Sequence, residues 1–316
     1  MLVFVLGDGG RVKNLSICLI LLSICFASRF APAQDDLAGA RVSLAELEWR
    51  GAIRRYTAIL ETAKPGSAEW TEATYGLGIS HHHVQPPSSE TISAAMRQYQ
   101  QIIDQASDQR YVARAMMNVG RVHELRDYSE DVVDLAKARE AYEKVVARFP
   151  NDPIAGEAVL RAASTLVMAF DEPNYEQVKS GITMLEKWLA AHPDDALASV
   201  MWQYIGDAYF RPLADYENAL RAYENVDRLG WTDQGNQGPW YWRAAQLAER
   251  FLDKPDIAAK YYAKIIMETP NSGKAYESME SLRRLGKPVP SSPLFETVAP
   301  STQPAVGTAS TQRSKP

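Results

Sequence analysis

The sequence predicts an all-α protein, an α-solenoid of about six antiparallel helix pairs. Three observations predict this fold. A short helical phrase returns six times along the chain, a second helical pattern lies between successive copies, and polar or proline-containing turns separate the two patterns. One helix pair cannot bury its apolar face alone, whereas stacked neighbours bury a continuous core.

The recurring phrase has a small residue, a bulky residue four positions later, and another apolar residue three positions after that. These spacings place all three residues on one face of a helix, where the small residue lets a neighbouring helix approach closely. The first positions are separated by 43, 43, 43, 38 and 39 residues. The six copies are Ala52–Tyr56–Ile59, Ala95–Tyr99–Ile102, Ala138–Tyr142–Val145, Gly181–Leu185–Trp188, Ala219–Tyr223–Val226 and Ala258–Tyr262–Ile265.

A second helix is predicted between successive phrases, because a small residue recurs there with bulky residues four positions before it. Prolines and polar residues in the intervening segments are typical of turns and of helix caps. Each repeat is therefore predicted to be two helices joined by a short turn. The small central residues are Gly78, Gly120, Ala163, Gly206 and Ala244, and the turns are 85–90, 126–131, 171–174, 211–215 and 253–256.

The N-terminal segment has the order of a secretory signal peptide. Arg11 and Lys13 form a positive flank, residues 15–26 are almost wholly apolar, and Ala31-Pro32-Ala33 has the small residues of a cleavage site. The apolar run is shorter than the roughly 20 residues that a membrane-spanning helix needs. We therefore expect residues 1–33 to be a signal peptide that is cleaved after Ala33, with Val12 as an alternative start.

Both cysteines of the chain, Cys18 and Cys25, lie inside this segment, so the mature protein is expected to have no disulfide and no thiolate metal site. Lipidation at Cys25 is the alternative to cleavage, although Ile24 replaces the small residue usual before a lipidated cysteine.

Cleavage lowers the formal net charge from -5 to -7. An acidic chain without a basic cluster argues against nucleic-acid binding.

The repeats resemble the tetratricopeptide repeat (TPR). The resemblance covers about residues 42–285, in repeats of 38–43 residues that are longer than the family's 34. Residues 34–41 are expected to be a polar lead-in, and the Pro/Ser/Thr-rich segment 286–316 a disordered tail. The clearest repeat carries Trp202, Ile205, Gly206, Ala208, Tyr209, Tyr216, Ala219 and Tyr223 at family positions.

Repeats of this length look like envelope members of the superfamily, such as the Tol-Pal-associated cell-division coordinators and the outer-membrane assembly lipoproteins. The resemblance implies a right-handed superhelix and a non-enzymatic scaffold that binds a protein or peptide. It also implies a periplasmic location, with peripheral association with an envelope membrane complex. In this family the first helix of each repeat lines the binding groove. The matching positions are Tyr75, Ile79, His82, Met117, Arg121, Glu124, Leu160, Ser164, Gln203, Asp207, Phe210 and Tyr241.

Catalytic and metal-binding motifs are not evident in the sequence. GxSxG, GxGxxG and P-loop patterns are missing, and the carboxylates are scattered over expected solvent faces and turns. Consecutive side chains on a helix fan out by about 100° each, so His81, His82 and His83 cannot converge on one ion. We predict His81 as a core residue with two half-exposed neighbours, and neither a metal nor a cofactor.

Aromatic residues are concentrated between Trp202 and Trp242, mostly at positions predicted to be core. Trp231 and Tyr241 fall outside the repeat pattern. An alternative function follows from them, because exposed aromatic rings stack on sugars and dominate protein-binding hot spots. In this alternative, Trp231, Trp240 and Tyr241 make the protein a peptidoglycan- or carbohydrate-binding module.

Overall fold

The computed structural model describes residues 37–167, 174–232 and 235–292, and within these ranges all regular structure is helical. The segment expected to be a signal peptide and the tail beyond Ser292 lie outside the described residues. The thirteen helices of the described ranges are α1 (Leu37–Ala45), α2 (Trp49–Leu60), α3 (Ala68–His83), α4 (Ser89–Gln105), α5 (Gln109–Glu124), α6 (Leu135–Arg148), α7 (Ile154–Val167), α8 (Tyr175–Ala191), α9 (Ala198–Phe210), α10 (Tyr216–Leu229), α11 (Gly238–Arg250), α12 (Pro255–Glu268) and α13 (Ala275–Arg284).

The chain divides into an N-terminal unit, residues 1–158, and a C-terminal unit, residues 159–316. Within each unit consecutive helices pack against each other across short turns, which makes neighbouring helices antiparallel. The predicted all-α fold of antiparallel helix pairs is confirmed: the described helices form six such pairs, with α13 following the sixth. We call the odd-numbered helices first helices and the even-numbered ones second helices.

The recurring phrase forms the buried face of the second helices. In five of the six copies all three residues are at most 4% exposed, and in the copy on α8 only Trp188 is partly exposed. Side-chain oxygens of Ser67, Ser88 and Asp108 accept hydrogen bonds from free backbone N–H groups at the starts of α3, α4 and α5. Such caps satisfy donors that have no partner within the helix.

Glycines on the first helices make room for the tyrosine rings of the second helices. A Cβ atom added to Gly120 would lie 2.3 Å from Cε1 of Tyr142, and one added to Gly206 would lie 2.6 Å from Cε1 of Tyr223. These separations are far below van der Waals contact, so the ring lies directly on the glycine backbone. The small central residue of the first helix and the bulky residue of the phrase are therefore one packing pair.

Both ends of the array differ from the sequence-based boundaries. Helix α1 begins at Leu37, where a polar lead-in was expected, and it buries Ala40 and Ser43. It was missed because it carries neither the phrase nor the small central residue. At the other end, Val289 packs against the core of the C-terminal unit and Lys287 pairs with Asp256, so the start of the expected disordered tail belongs to the last repeat.

Polar side chains join helices that are one repeat apart. Among first helices, the Oη of Tyr75 accepts a hydrogen bond from Asn118 across 43 residues of sequence, and Arg243 pairs with Asp207 across 36 residues. These contacts favour one alignment of each repeat on the next. The other such contacts are Arg41–Glu72, Arg121–Glu157 and Arg284–Glu249 between first helices, and Arg221–Glu186, Lys254–Glu217 and Lys264–Asp227 between second helices.

Candidate functional site

The N-terminal unit contains an open cavity of about 590 Å³ on the face of its first helices, which we call the first-helix cavity. Helices α3 and α5 and the start of α7 form its walls. Three of the groove residues predicted from the sequence, Tyr75, Met117 and Arg121, line it. The remaining lining residues are Arg110, Ala113, Arg114, Asn118, Asp152, Pro153, Ile154 and Glu157.

Arg121 lies at the centre of a hydrogen-bonded network in this cavity. Its guanidinium donates to Oε1 of Glu157 at 2.7 Å and to Oδ1 of Asn118 at 3.2 Å. Asn118 in turn donates to Tyr75, whose pKa is raised chiefly by burial of the phenol. The network fixes the side chains of two adjacent first helices and the start of α7 relative to one another.

Arg110 and Arg114 also line the cavity, and the sequence analysis missed both. They precede Arg121 by 11 and 7 residues on α5, spacings that put all three on one helix face. The exposed Arg110 pairs with the half-buried Asp108, whereas Arg114 makes no hydrogen bond or ion pair within the described ranges. The arginine spacing was visible in the sequence, but the resemblance to the family directed attention to other positions.

The other predicted groove residues of the N-terminal unit lie outside the cavity lining. Ile79 is half-buried, and Glu124 accepts a hydrogen bond of 2.5 Å from the buried Tyr142. Met117, which does line the cavity, is itself 2% exposed. Hydroxyl groups of buried tyrosines thus donate to polar residues on the first-helix face, and these polar residues have fewer acceptor positions left for a partner.

His82, not His81, is the buried histidine of the triplet, which corrects the sequence-based prediction. His82 is 8% exposed, whereas His81 is half-buried and His83 exposed. His82 reaches the hydroxyl of Tyr99 at 3.2 Å, and its other ring nitrogen lies 3.5 Å from the carboxylate of Asp127. The reason is rotation about α3: position 82 brings its ring against Tyr99 of α4 and Asp127 of the turn after α5.

Burial shifts the pKa values of this pair in opposite directions. It lowers the pKa of His82 to about 4 and raises the pKa of Asp127 to about 6. Because folding disfavours protonated His82, the histidine makes the free energy of unfolding fall as the pH drops from about 6.5 to 4. Because folding disfavours ionised Asp127, the carboxyl makes the free energy of unfolding rise as the pH drops through about 6. The two contributions oppose each other.

We therefore expect the Asp127→Asn variant to be more sensitive to acid than the wild type. Between pH 6 and 5 the variant should lose up to about 1 kcal/mol of unfolding free energy relative to the wild type, since only the histidine contribution remains. Urea unfolding at both pH values measures this difference. Glu130→Gln, in the same turn but exposed, is the matched control. Equal pH dependence of Asp127→Asn and wild type would contradict the assignment.

In the C-terminal unit, Asp207 and Phe210 lie at a cluster organised by Arg243, a residue the sequence analysis did not select. Arg243 donates to Oδ1 of Asp207 at 2.6 Å, and its guanidinium lies 5.2 Å from the ring centre of Phe210 and 4.7 Å from that of Trp240. Tyr223 also donates to Asp207, at 2.6 Å. The arginine is thus held between two aromatic rings and a carboxylate. Gln203, Leu160 and Ser164 are half-buried.

Trp231 and Tyr241 are buried, which overturns the prediction of an exposed aromatic platform. They are 4% and 3% exposed, and their rings meet edge to face. Trp231 also stacks on Trp240 at 5.6 Å, and Tyr241 donates to Glu268 at 2.6 Å. The segment after α10 folds back so that these rings complete the core of the C-terminal unit, where they cannot stack on a sugar.

Metal-binding clusters and membrane-spanning helices are both missing from the parts of the chain that the structure describes. There, no group of three or more histidine, cysteine or acidic side chains is arranged to hold a metal ion. None of the helices in these ranges has the length and apolar character needed to cross a membrane.

Comparison with known proteins adds little to this description. No protein-family model matches the chain, and no curated protein matches it. A solved structure described as "Functional Characterization of Pseudomonas Aeruginosa pilF" is 14% identical, with 78% of this chain and 93% of that chain covered at a TM-score of 0.46. A likeness at this level carries no functional argument, and the TPR-like fold rests on the helix pairs and their glycine–tyrosine packing.

Proposed function

We propose that the protein is a non-enzymatic scaffold of the cell envelope, and that it binds a protein or peptide segment on the face of its first helices. The observation that carries this proposal is the first-helix cavity, because it is open, preformed and lined by both apolar and polar side chains. Stacked repeats present such surfaces to extended or helical segments of partners.

The lining of the cavity suits a polypeptide. Tyr75 and Ile154 offer partly exposed apolar surface for side chains, while Arg114 and Arg121 offer hydrogen-bond donors. The network around Arg121 holds these groups in place before a partner arrives. Preorganisation of this kind lowers the entropic cost of binding.

The cell-envelope location rests on the sequence of residues 1–33 and on the resemblance of the long repeats to envelope families. A secreted chain cleaved after Ala33 would begin at Gln34. This location also agrees with a mature chain that has no cysteine and carries a net negative charge.

Site-specific photocrosslinking in cells tests the scaffold and its location together. With a photoreactive residue in place of Arg114, we expect a defined crosslinked partner in the extracytoplasmic fraction, on a chain whose N-terminus is Gln34 by mass spectrometry. The matched control replaces Arg97, an exposed arginine on α4, and should give no such product.

Two substitutions then identify the surface used. Arg121→Ala should reduce recovery of the crosslinked partner, with helix content unchanged by circular dichroism, whereas Phe210→Ala, outside the cavity lining, should leave recovery unchanged. Equal crosslinking from positions 97 and 114 would refute the groove. An intact N-terminus on a cytoplasmic chain would refute the location.

A further inference from the structure

The first helix of the array carries apolar residues on its exposed side. Helix α1 packs chiefly against α2 and α3, with Ala40 and Ser43 buried. On the opposite side, Ala38, Val42 and Ala45 lie at positions i, i+4 and i+7 and are all exposed; we call them the α1 stripe. Val42 is 53% exposed. Terminal repeats of solenoids need a polar outer face to remain soluble, so this stripe does not have the character of a cap.

A leucine in a left-handed backbone conformation extends this apolar surface. Leu47 has a φ of 60° and is 63% exposed, in the turn between α1 and α2. Its N–H donates to the carbonyl of Leu44, and the N–H of Glu48 donates to that of Ser43, which is the helix ending where glycine usually takes the left-handed position. A leucine here is outside the core and disfavours the backbone conformation that the turn requires. Its side chain is therefore available to another molecule.

The same turn position in two later repeats has residues that suit the left-handed conformation better. Ala214, with a φ of 51°, and Asp253, with a φ of 52°, also come directly before the N-caps of their second helices, α10 and α12. Aspartate adopts this conformation more readily than most residues, and alanine adds only a methyl group. The conformation therefore belongs to the repeat, whereas the large exposed apolar side chain is particular to the first repeat.

Charged residues of both signs accompany the stripe without being neutralised. Glu46 and Glu48 flank Leu47, and Arg54 is exposed on α2. None of these three has an ion-pair partner among the residues that the structure describes. On the last helix, α13, exposed charges pair with neighbouring residues instead. These pairs are Lys274–Glu277 and Arg283–Glu280.

We propose that the α1 stripe and Leu47 form a self-association surface, on which a second copy of this chain docks its own first repeat. A two-fold interface places the same patch on both sides. A second copy therefore supplies apolar side chains for the stripe, and both glutamates and an arginine for the unpaired charges. One short helix and its turn make a small interface, so the dimer is reversible. This inference goes beyond the scaffold function and does not depend on the first-helix cavity.

Sedimentation velocity of the mature chain, from about 1 to about 100 μM, tests the proposal. We expect a monomer–dimer equilibrium in this range. Leu47→Gly should weaken the dimer about tenfold or more, the change expected when a leucine side chain is no longer buried. The same variant should keep or raise the urea midpoint, because glycine adopts the left-handed conformation freely. Ala214→Gly, at the equivalent position of a later turn, is the matched control and should leave the dimer unchanged.

Chemical crosslinking tests which surface the two copies share. The mature chain is expected to have no cysteine, so Val42→Cys adds one thiol to each copy. Because Val42 is the middle residue of the stripe, a short bismaleimide should link two copies of this variant, and adding Leu47→Gly should lower the yield. Val132→Cys is the control, because position 132 is 79% exposed but lies in the turn before α6. It should give no linked dimer above background.

Several results would overturn the inference. They are a monomer at every concentration, equal losses of dimer in Leu47→Gly and Ala214→Gly, and equal linking from positions 42 and 132. A lower urea midpoint for Leu47→Gly would also overturn it, because the leucine would then serve the fold of a single chain. Photocrosslinking from position 114 does not depend on these results, so the scaffold function is tested separately.

Discussion

Gly120→Ala is expected to destabilise the N-terminal unit by about 3 kcal/mol, at the upper end of what overpacking a core costs. The added Cβ would lie 2.3 Å from Cε1 of Tyr142, in a core where that ring is 0% exposed. The ring cannot tilt freely because its hydroxyl is bonded to Glu124. Urea unfolding followed by circular dichroism measures the loss.

Two companion variants separate this clash from a general effect of alanine. Gly273 has no atom within 4 Å of an added Cβ, so Gly273→Ala should leave stability within about 0.5 kcal/mol. The double variant Gly120→Ala/Tyr142→Leu imitates Ala163 and Leu185, which are fully buried at the corresponding positions of another repeat. It should recover at least half of the loss, and failure to do so would show that Tyr142 is not the obstacle.

Tyr223→Ala should cost about 3–5 kcal/mol, the range for removing a large aromatic side chain from a core. The ring of Tyr223 is 0% exposed and lies on Gly206, so no neighbouring side chain can fill the space without moving a helix. Its hydroxyl also donates to Asp207, which pairs with Arg243. The cooperative unfolding transition of the C-terminal unit should shift to a lower urea concentration in this variant.

Tyr223→Phe isolates the hydroxyl from the ring. It keeps the packing and removes the hydrogen bond donated to Asp207 and the one accepted from Arg243, so about 1–2 kcal/mol should be lost. Tyr276→Ala is the control, because that tyrosine is 66% exposed and its loss should be nearly neutral. If Tyr223→Phe were as damaging as Tyr223→Ala, the hydroxyl network rather than ring packing would hold this repeat together.

The core of the fold could be predicted from the sequence because its signal is repeated. Each copy of the phrase had to satisfy the same packing geometry, so Ala138, Tyr142 and their equivalents stand out even in one sequence. The pairing of Tyr142 with Gly120 could also have been predicted, because the recurring phrase and the small central residues repeat with nearly the same period. Helix α1 could not, since it carries neither the recurring phrase nor the small central residue.

The site was predicted less well because it depends on exact rotation about each helix. His82 and His81 differ by one position, yet only His82 faces the core. Trp231 lies in a loop and Tyr241 near the start of a helix, where the periodicity of the sequence does not indicate which residues are buried. Arg114 and Arg243 do not lie at positions that the family resemblance selects. Arg114 is recognised only by the cavity that it lines, and Arg243 only by its contacts with a carboxylate and two aromatic rings.

The polar contacts between first helices join residues that are 31 to 43 positions apart, close to one repeat length. Structure in one repeat therefore requires only the next one along the chain, and contacts of such short range favour fast folding. An array built in this way can fold from its N-terminus while later repeats are still being made. Each newly added helix pair would pack onto a finished neighbour, so the early repeats do not depend on the distant end of the chain.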